Sequence, residues 1–503
     1  MSDTRRWWWI AMGLVLFGLG LRAYQFFRAP DVWQDEAALL VNVLGNDYTQ
    51  LLGPLVLNQA APPLFLWAER TMALTFGDGP TVARLLPFLA SALALVLLVP
   101  VSRRLLTPTA SLWAIFLFAA SEQLAWHACE AKPYAIDAFS TVLILALFAA
   151  SQNWATGARL AAFALCAPFL LFLTYPALFV YAGVLAAFFP AAVRERRSIT
   201  WLAFLGLASV VGGSFLVLYL GPIAAQRSAE LVNYWAVRFP DWGRPWTVPG
   251  WACLALLELC RYCCKPWGQP LAVLFLIGVV VLWRRGDRSL VLLLVGPVAV
   301  AFLAACVRAY PVGGHRLMAY SVPLVILLIA AGAAPALTWL SHQHRWAAVP
   351  LILFLMTPAK ESIGRLFSPW DRPAVQAAAN YILEHHQPGE IVTGDTWESA
   401  YLLRQLGPRF QYPCAGFRET AERVSLVPAA PGSCRYSLLR SDHWSATSHL
   451  WMMVEAEDPT SRGLAEASAQ AAGWSVQEAT EFHHVWVLLL ERSGASGAAS
   501  ACR

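Results

Sequence analysis

Long apolar runs separated by short polar connections fill the first 360 positions of the chain. A membrane-spanning helix needs about 20 mostly apolar residues. Runs of that kind occur near 7–27, 84–102, 109–127, 133–150, 159–175, 177–193, 199–221, 269–284, 289–307, 317–338 and 346–359. The pattern predicts about eleven transmembrane helices. Two connections, 28–83 and 222–268, are far longer than the others. From residue 361 the pattern changes. Ser368-Pro369 and Asp371-Arg372-Pro373 are helix-start chemistry ahead of a helical pattern that runs to Leu383. Segments 389–393, 449–454 and 485–490 read as strands, and 397–406 as another helix. The expected architecture is an all-α polytopic membrane domain over 1–360, a small α/β domain over 361–493, and a disordered tail over 494–503.

Composition agrees with a lipid solvent. The chain is 58% hydrophobic and 13% charged, with a mean hydropathy of +0.53, whereas soluble domains carry about 25% charged residues. That balance excludes an ordinary water-soluble globule, and a net charge of +5 gives no reason to expect a nucleic-acid partner. The placement of the charge says more than its size. Arg5-Arg6, Arg103-Arg104, Arg159, 194–197, 284–288 and 342–345 all fall in alternate connections. Basic residues mark the cytoplasmic side, so the N-terminus is expected inside, and both long connections and the C-terminal domain outside. The apolar run after Arg6 lacks a small-residue cleavage site and reads as a retained first span.

Cysteine and histidine give weak signals. Cys260 and Cys263 form a C-x-x-C beside Cys264 in an apolar setting, which reads as buried thiols. Cys414 and Cys434 could pair in an oxidising compartment. The pairs His342/His344, His385/His386 and His483/His484 lack companion ligands at useful spacing, so no metal site is assigned.

Ionisable residues gather instead at the expected outer turns. Asp31-Val32-Trp33-Gln34-Asp35-Glu36 opens the first long connection. Asp35 can cap a short helix over 36–44 that Gly45 ends, and that alone would explain an acid here. A carboxylate at a membrane surface also suits a base that takes a proton from an acceptor hydroxyl. Ala61-Pro62-Pro63 stiffens the backbone farther along the same connection. Arg84 heads the second span, where it can snorkel or hold a lipid phosphate. His127-Ala128-Cys129-Glu130-Ala131-Lys132-Pro133-Tyr134 leads into the fourth span, with Asp137 one turn farther in. A helical continuation puts Glu130, Tyr134 and Asp137 on one face, and acids at membrane depth are functional candidates. A Glu130–Lys132 surface pair is the plain alternative. Arg308-Ala309-Tyr310-Pro311-Val312-Gly313-Gly314-His315-Arg316 precedes the tenth span. There, two glycines would let the backbone approach a ligand, and His315 with Arg316 could hold a phosphate. An ordinary re-entry turn with an interfacial arginine explains the same residues.

Taken in order, W-x-D-E-A (33–37), P-P-L-F (62–65), R-L-L-P (84–87), E-A-K-P-Y (130–134) and Y-P-V-G-G-H-R (310–316) form a pattern. It resembles the bacterial protein-mannosyltransferase-like and aminoarabinose-transferase-like glycosyltransferases, which have the GT-C fold. The resemblance spans roughly residues 7–360. It implies a polyprenyl-phosphate sugar donor, an outward-facing cavity, an inverting single displacement and residence in the bacterial inner membrane. The acceptor would be a hydroxyl of a protein, lipid or polysaccharide. By position, Asp35 matches the proposed base, with Glu36 and Glu130 as its acidic companions. Arg84, Lys132, His315 and Arg316 match a site for the donor phosphate, and Tyr134, Asp137 and Tyr310 would line the substrate pocket. Lys132 stands where relatives carry arginine and so loses bidentate phosphate geometry. Ala61 replaces a polar residue that relatives often place before the double proline. No cofactor is called for, although a divalent cation is one way to orient Asp35. A flippase or transporter is the competing class, but such proteins often show internal repeats and broken midplane helices, and no repeat is apparent here. A non-catalytic receptor would need a convergent polar set within 361–503, where none is apparent, and an O-antigen-type ligase should lack the early acid pair.

Overall fold

A computed structural model describes residues 3–344, 346–394, 396–411, 415–420, 423–428, 447–455, 461–471 and 473–492. Two units divide the chain. The first comprises 1–29, 60–68 and 84–369, and the second 30–59, 69–83 and 370–503. The first long connection therefore contributes most of its length to the second unit.

In the first unit the apolar runs fold as helices. Seven are long and apolar enough to cross a membrane: Thr4–Arg28, Pro80–Leu105, Thr156–Leu173, Ala177–Glu195, Ser198–Gln226, Arg288–Cys306 and Arg316–Gln343. Pro108–Ala119, Tyr134–Ala150 and Leu271–Arg284 are shorter apolar helices. The chain is a multi-pass membrane protein. Two of the eleven expected spans are interrupted. The run at 109–127 breaks after Ala119 and resumes as Glu122–His127. Buried Glu122 at that break accepts from Arg365 Nε at 2.8 Å and lies 3.5 Å from Lys265 Nζ. The run at 346–359 divides into Val349–Leu355 and Thr357–Phe367, the second carrying Lys360, Glu361 and Arg365. A window average overlooks such polar breaks, because a single turn of charged residues barely lowers the mean of a long apolar run.

Helix Val322–Gln343 is the most deeply buried, with every residue from Val322 to Ala334 shielded. It meets Leu271–Arg284 through glycines. A β-carbon on Gly332 would sit 2.0 Å from the Leu274 carbonyl oxygen, and one on Gly278 would sit 1.9 Å from that of Leu328. Small residues let membrane helices pack backbone to backbone. Gly332→Ala is therefore expected to cost more than the about 1–3 kcal/mol of an ordinary over-packed core. Thermal unfolding of the detergent-solubilised variant checks this, and a melting temperature equal to that of wild type would contradict the packing. Arg22, fully buried in the first helix, is satisfied by Ser91 Oγ (2.9 Å) and by the carbonyls of Gly18 (2.9 Å), Phe118 (3.1 Å) and Ala119 (3.1 Å). The last two are unsatisfied C-terminal carbonyls of helix Pro108–Ala119, so Arg22 caps that helix inside the protein.

In the second unit, strands β1 (Ile391–Gly394), β2 (Phe410–Gln411), β5 (His449–Glu455), β6 (Trp474–Phe482) and β7 (Val485–Arg492) form a mixed sheet in the order β2-β1-β5-β7-β6. Strand β1 runs parallel to β2 and β5, while β7 runs antiparallel to β5 and β6. A separate antiparallel pair joins β3 (Ala415–Thr420) and β4 (Arg423–Pro428). Leu450, Met452, Val454, Leu488 and Leu490 pack with Trp474, Ala465 and Ala469 into the local core. Strands β1, β5 and β7 were expected, but β6 was not, because an edge strand of largely solvent-facing, polar residues carries little hydrophobic signal. The expected helix at 397–406 is Trp397–Leu402 followed by a 3₁₀ segment over Arg404–Arg409. Cys414, Cys434 and the tail 494–503 lie outside the described residues.

Candidate functional site

Four segments of the first unit converge on one cluster. His127 ends helix Glu122–His127, and its Nδ1 lies 2.9 Å from Glu130 Oε2 while its Nε2 lies 2.5 Å from the Tyr262 hydroxyl. Burial pushes the Tyr262 hydroxyl well above its ordinary pKa, and the nearby Glu130 charge adds to this. One imidazole thus bridges the Tyr262 hydroxyl and the Glu130 carboxyl, a ring nitrogen to each. Glu130 is thus paired with His127, not in a surface pair with Lys132. The His127 ring lies 5.0 Å from that of Tyr134, whose hydroxyl accepts from Arg316 Nε at 3.1 Å. The Arg316 guanidinium stands 5.6 Å from the centre of the Trp235 ring, and the His315 ring lies 4.7 Å from the same indole.

His315 is buried, and neither ring nitrogen makes a hydrogen bond of good geometry among the described residues. Burial, then the charges of Arg238 and Arg316, lower its pKa to about 3, against a weak contribution from the Val312 backbone. The imidazole is neutral and offers one donor and one acceptor. The adjacent glycines serve the fold more directly than a ligand. A β-carbon on Gly314 would lie 2.5 Å from the Glu258 carbonyl oxygen, and Gly313 has φ +129°. Helix Val248–Cys263 can press against this turn because Gly314 lacks a side chain, while Gly313 supplies a positive φ that glycine adopts freely.

The remaining expected residues are all buried or half-buried, with their own partners. Tyr310 donates to the Leu317 carbonyl at 2.6 Å, and burial together with Tyr320, Asp137, Tyr134 and Tyr262 holds its hydroxyl protonated. Asp137, in the first turn of helix Tyr134–Ala150, accepts from the Thr174 hydroxyl and not from the Glu130 turn. Arg84 is 1% exposed, which places it inside the protein and excludes a snorkelling side chain, and Lys132 is 5% exposed. The Ala61 backbone before the double proline is held on both sides, its N–H by Gln226 Oε1 at 3.1 Å and its carbonyl by the Tyr175 hydroxyl at 3.0 Å. Cys260, Cys263 and Cys264 are buried free thiols.

The acid pair of the first connection lies in the second unit, on helix Gln34–Gly45. This helix starts two residues earlier than expected, with Trp33 as the capping position and Asp35 inside the first turn. Glu36 is the residue that caps, its Oε2 accepting from Trp33 N at 2.9 Å, and Arg372 Nη1 reaches the same oxygen at 3.3 Å. At the other end, Arg70 Nη1 donates to the carbonyls of Val43 (2.9 Å) and Leu44 (2.8 Å). Both ends of the helix that carries Asp35 are thus pinned by charged side chains. Asp35 itself is buried.

Glu69, which the sequence pattern did not single out, is buried in the same unit, and neither carboxylate oxygen has a hydrogen-bond partner among the described residues. It follows buried Phe65 by four positions and Leu66 by three on helix Pro63–Phe76, so the helical period alone could have placed it on the inner face. Burial, with the Glu36 charge second, raises its pKa well above the ordinary carboxyl range. A carboxyl whose folded-state pKa is raised costs stability as pH climbs from the unfolded value, about 4.3, through the folded one. Glu69→Gln is therefore expected to leave the melting temperature unchanged near about pH 4 and to raise it by about pH 8. A gap that fails to widen with pH in thermal melts would contradict this.

No protein-family model matches the sequence, and no curated protein sequence does. Solved structures do. An oligosaccharyltransferase from Archaeoglobus fulgidus, in complex with zinc and sulfate, aligns with a TM-score of 0.55 at 12% identity, covering 92% of this chain and 69% of that one. The same enzyme tethered to an acceptor peptide gives 0.50 at 10% identity, covering 81% and 64%. ArnT from Cupriavidus metallidurans in the apo state gives 0.48 at 14% identity, covering 95% and 98%. At such identities the likeness is one of fold, and it is the GT-C fold, with a helical membrane domain and a smaller α/β unit, that the motif order led one to expect.

Proposed function

We propose that this chain is a membrane glycosyltransferase that moves a sugar from a polyprenyl-phosphate donor to a hydroxyl acceptor on the extracytoplasmic face of a bacterial inner membrane. The observation that carries the reading is the cluster of Arg316, His315, Trp235 and Tyr134 on connections of a GT-C membrane domain, with Arg238 close enough to shift His315. Cations and an indole in a partly dry site suit a phosphate joined to a sugar ring. Preorganised charge of this kind stabilises a departing phosphate by several kcal/mol.

In the proposed step, the acceptor oxygen attacks the anomeric carbon while its proton passes to Asp35. The bond from that carbon to the phosphate oxygen breaks, and the polyprenyl phosphate departs with the electron pair and inverts the anomeric centre. Arg316, Arg84 and Lys132 stabilise the phosphate, and neutral His315 supplies a directional hydrogen bond. Glu36 holds the helix that presents Asp35. Glu130, fixed by His127, orients polar groups around Tyr134, Asp137 and Tyr310. A divalent ion is a second means of orienting Asp35, and transfer assayed in EDTA against added magnesium or manganese distinguishes the two. The primary test incubates purified protein with a panel of radiolabelled polyprenyl-phosphate sugars and acceptor lipids, polysaccharides and peptides. Transfer or slow donor hydrolysis supports the assignment. Saturable lipid binding without turnover on any donor favours a flippase.

A further inference from the structure

We propose that Asp371, His483 and His484 form a binding site for a divalent transition-metal ion of the zinc class on the second unit. Strands β6 and β7 are joined by a two-residue turn, with Phe482 paired to Val485 and the two histidines as its tip. Such tips favour glycine or asparagine, because one or both residues take positive φ. Here His484 takes the left-handed conformation at φ +57°. The turn thus forgoes the residues its backbone favours and carries two adjacent imidazoles.

Their rings lie 4.1 Å apart, and both aim Nε2 at one carboxylate. His483 Nε2 is 2.6 Å from Asp371 Oδ1 and His484 Nε2 is 3.1 Å from Oδ2. Asp371 is 112 residues away from His483 in sequence, which is why spacing gave no hint of it. A backbone hydrogen bond from Ala374 N to the His483 carbonyl, 2.8 Å, fastens the aspartate's segment to the turn. The ligands are therefore brought together by the fold as well as by their own attraction.

The three donor atoms all lie within 4.8 Å of one another. Zinc bonds to nitrogen and oxygen are about 2.0–2.2 Å, so tetrahedral neighbours stand roughly 3.4 Å apart. The exposed side chains need only small rotations to meet that spacing around an ion. Two imidazoles and one carboxylate suit zinc, nickel or copper, whereas magnesium prefers an all-oxygen shell. Exposure leaves a coordination position for water. An ion here would tie the start of the 370–503 stretch to the far end of the sheet, so binding would stabilise this unit.

Isothermal titration of zinc chloride into EDTA-stripped, full-length protein in detergent tests the site. Wild type is expected to bind about one ion per chain that the His483→Ala/His484→Ala double variant does not bind. Asp371→Asn should weaken that binding by at least about tenfold, and zinc should raise the melting temperature of wild type only. Excess magnesium should not displace it. Equal zinc stoichiometry and equal thermal stabilisation in the double variant would overturn the proposal, as would no uptake by wild type. In either case the three residues are a hydrogen-bonded latch on the turn. Because the readout is metal binding and melting, it stands whether or not the chain transfers sugar.

Discussion

Asp35→Asn is expected to lower sugar transfer by about 10²–10⁴-fold, the range supplied by a positioned general base. The substitution keeps the size and planarity of the side chain but removes its ability to accept a proton. The neighbouring structure argues that the effect should fall on chemistry. The N-terminal cap of helix Gln34–Gly45 is made by Glu36, and its C-terminal carbonyls are held by Arg70. Retention of the wild-type melting temperature alongside loss of turnover is the expected combination. The partner variant, Glu36→Gln, separates the two roles. It weakens the charge interaction with Arg372 and one capping contact, so its first effect should be a lower melting temperature. If Asp35→Asn kept full transfer while Glu36→Gln lost it in a still-folded protein, the base would have to be reassigned.

The membrane fold was legible because long apolar runs have few structural solutions in lipid. The motif residues were legible because they sit at helix starts, where composition changes abruptly. What was missed shares a physical cause. Trp235 and Arg238 come from the part of 222–268 where short helices and turns follow no single period. Tyr262 could have been suspected, since Ala255, Leu259 and Tyr262 fall at helical spacing on the buried face of Val248–Cys263. Its partner His127 was visible only as part of a turn, and pairing across 135 residues is a tertiary fact that spacing does not encode. Capping falls to Glu36 instead of Asp35 because a capping box places the reaching acid three residues after the cap, and Trp33 is not a residue whose side chain signals a helix start. The aspartate that meets His483 and His484 is separated from them by most of the second unit.

Arg316 offers the sharpest test of the first-unit cluster. Arg316→Ala is expected to reduce turnover by about 10²–10³-fold, the loss seen when one preorganised donor to a developing anion is removed. Its Nε is fixed by the Tyr134 hydroxyl, and its face lies toward Trp235, so the planar fork is oriented before a donor arrives. Arg316→Lys retains the charge but cannot bond Tyr134 and a phosphate in one plane, and should recover only part of the lost rate. Tyr134→Phe, which leaves the arginine in place and releases its Nε, should fall between wild type and Arg316→Ala. A role confined to packing predicts a different order, in which Arg316→Lys and Tyr134→Phe lower the melting temperature and leave the rate of the surviving folded protein unchanged. Measuring turnover against donor concentration for all three variants decides between them. A departing phosphate stabilised by this fork loses kcat in proportion to the lost orientation. An arginine that merely gathers donor lipid raises KM, and the rate at saturation stays as it was.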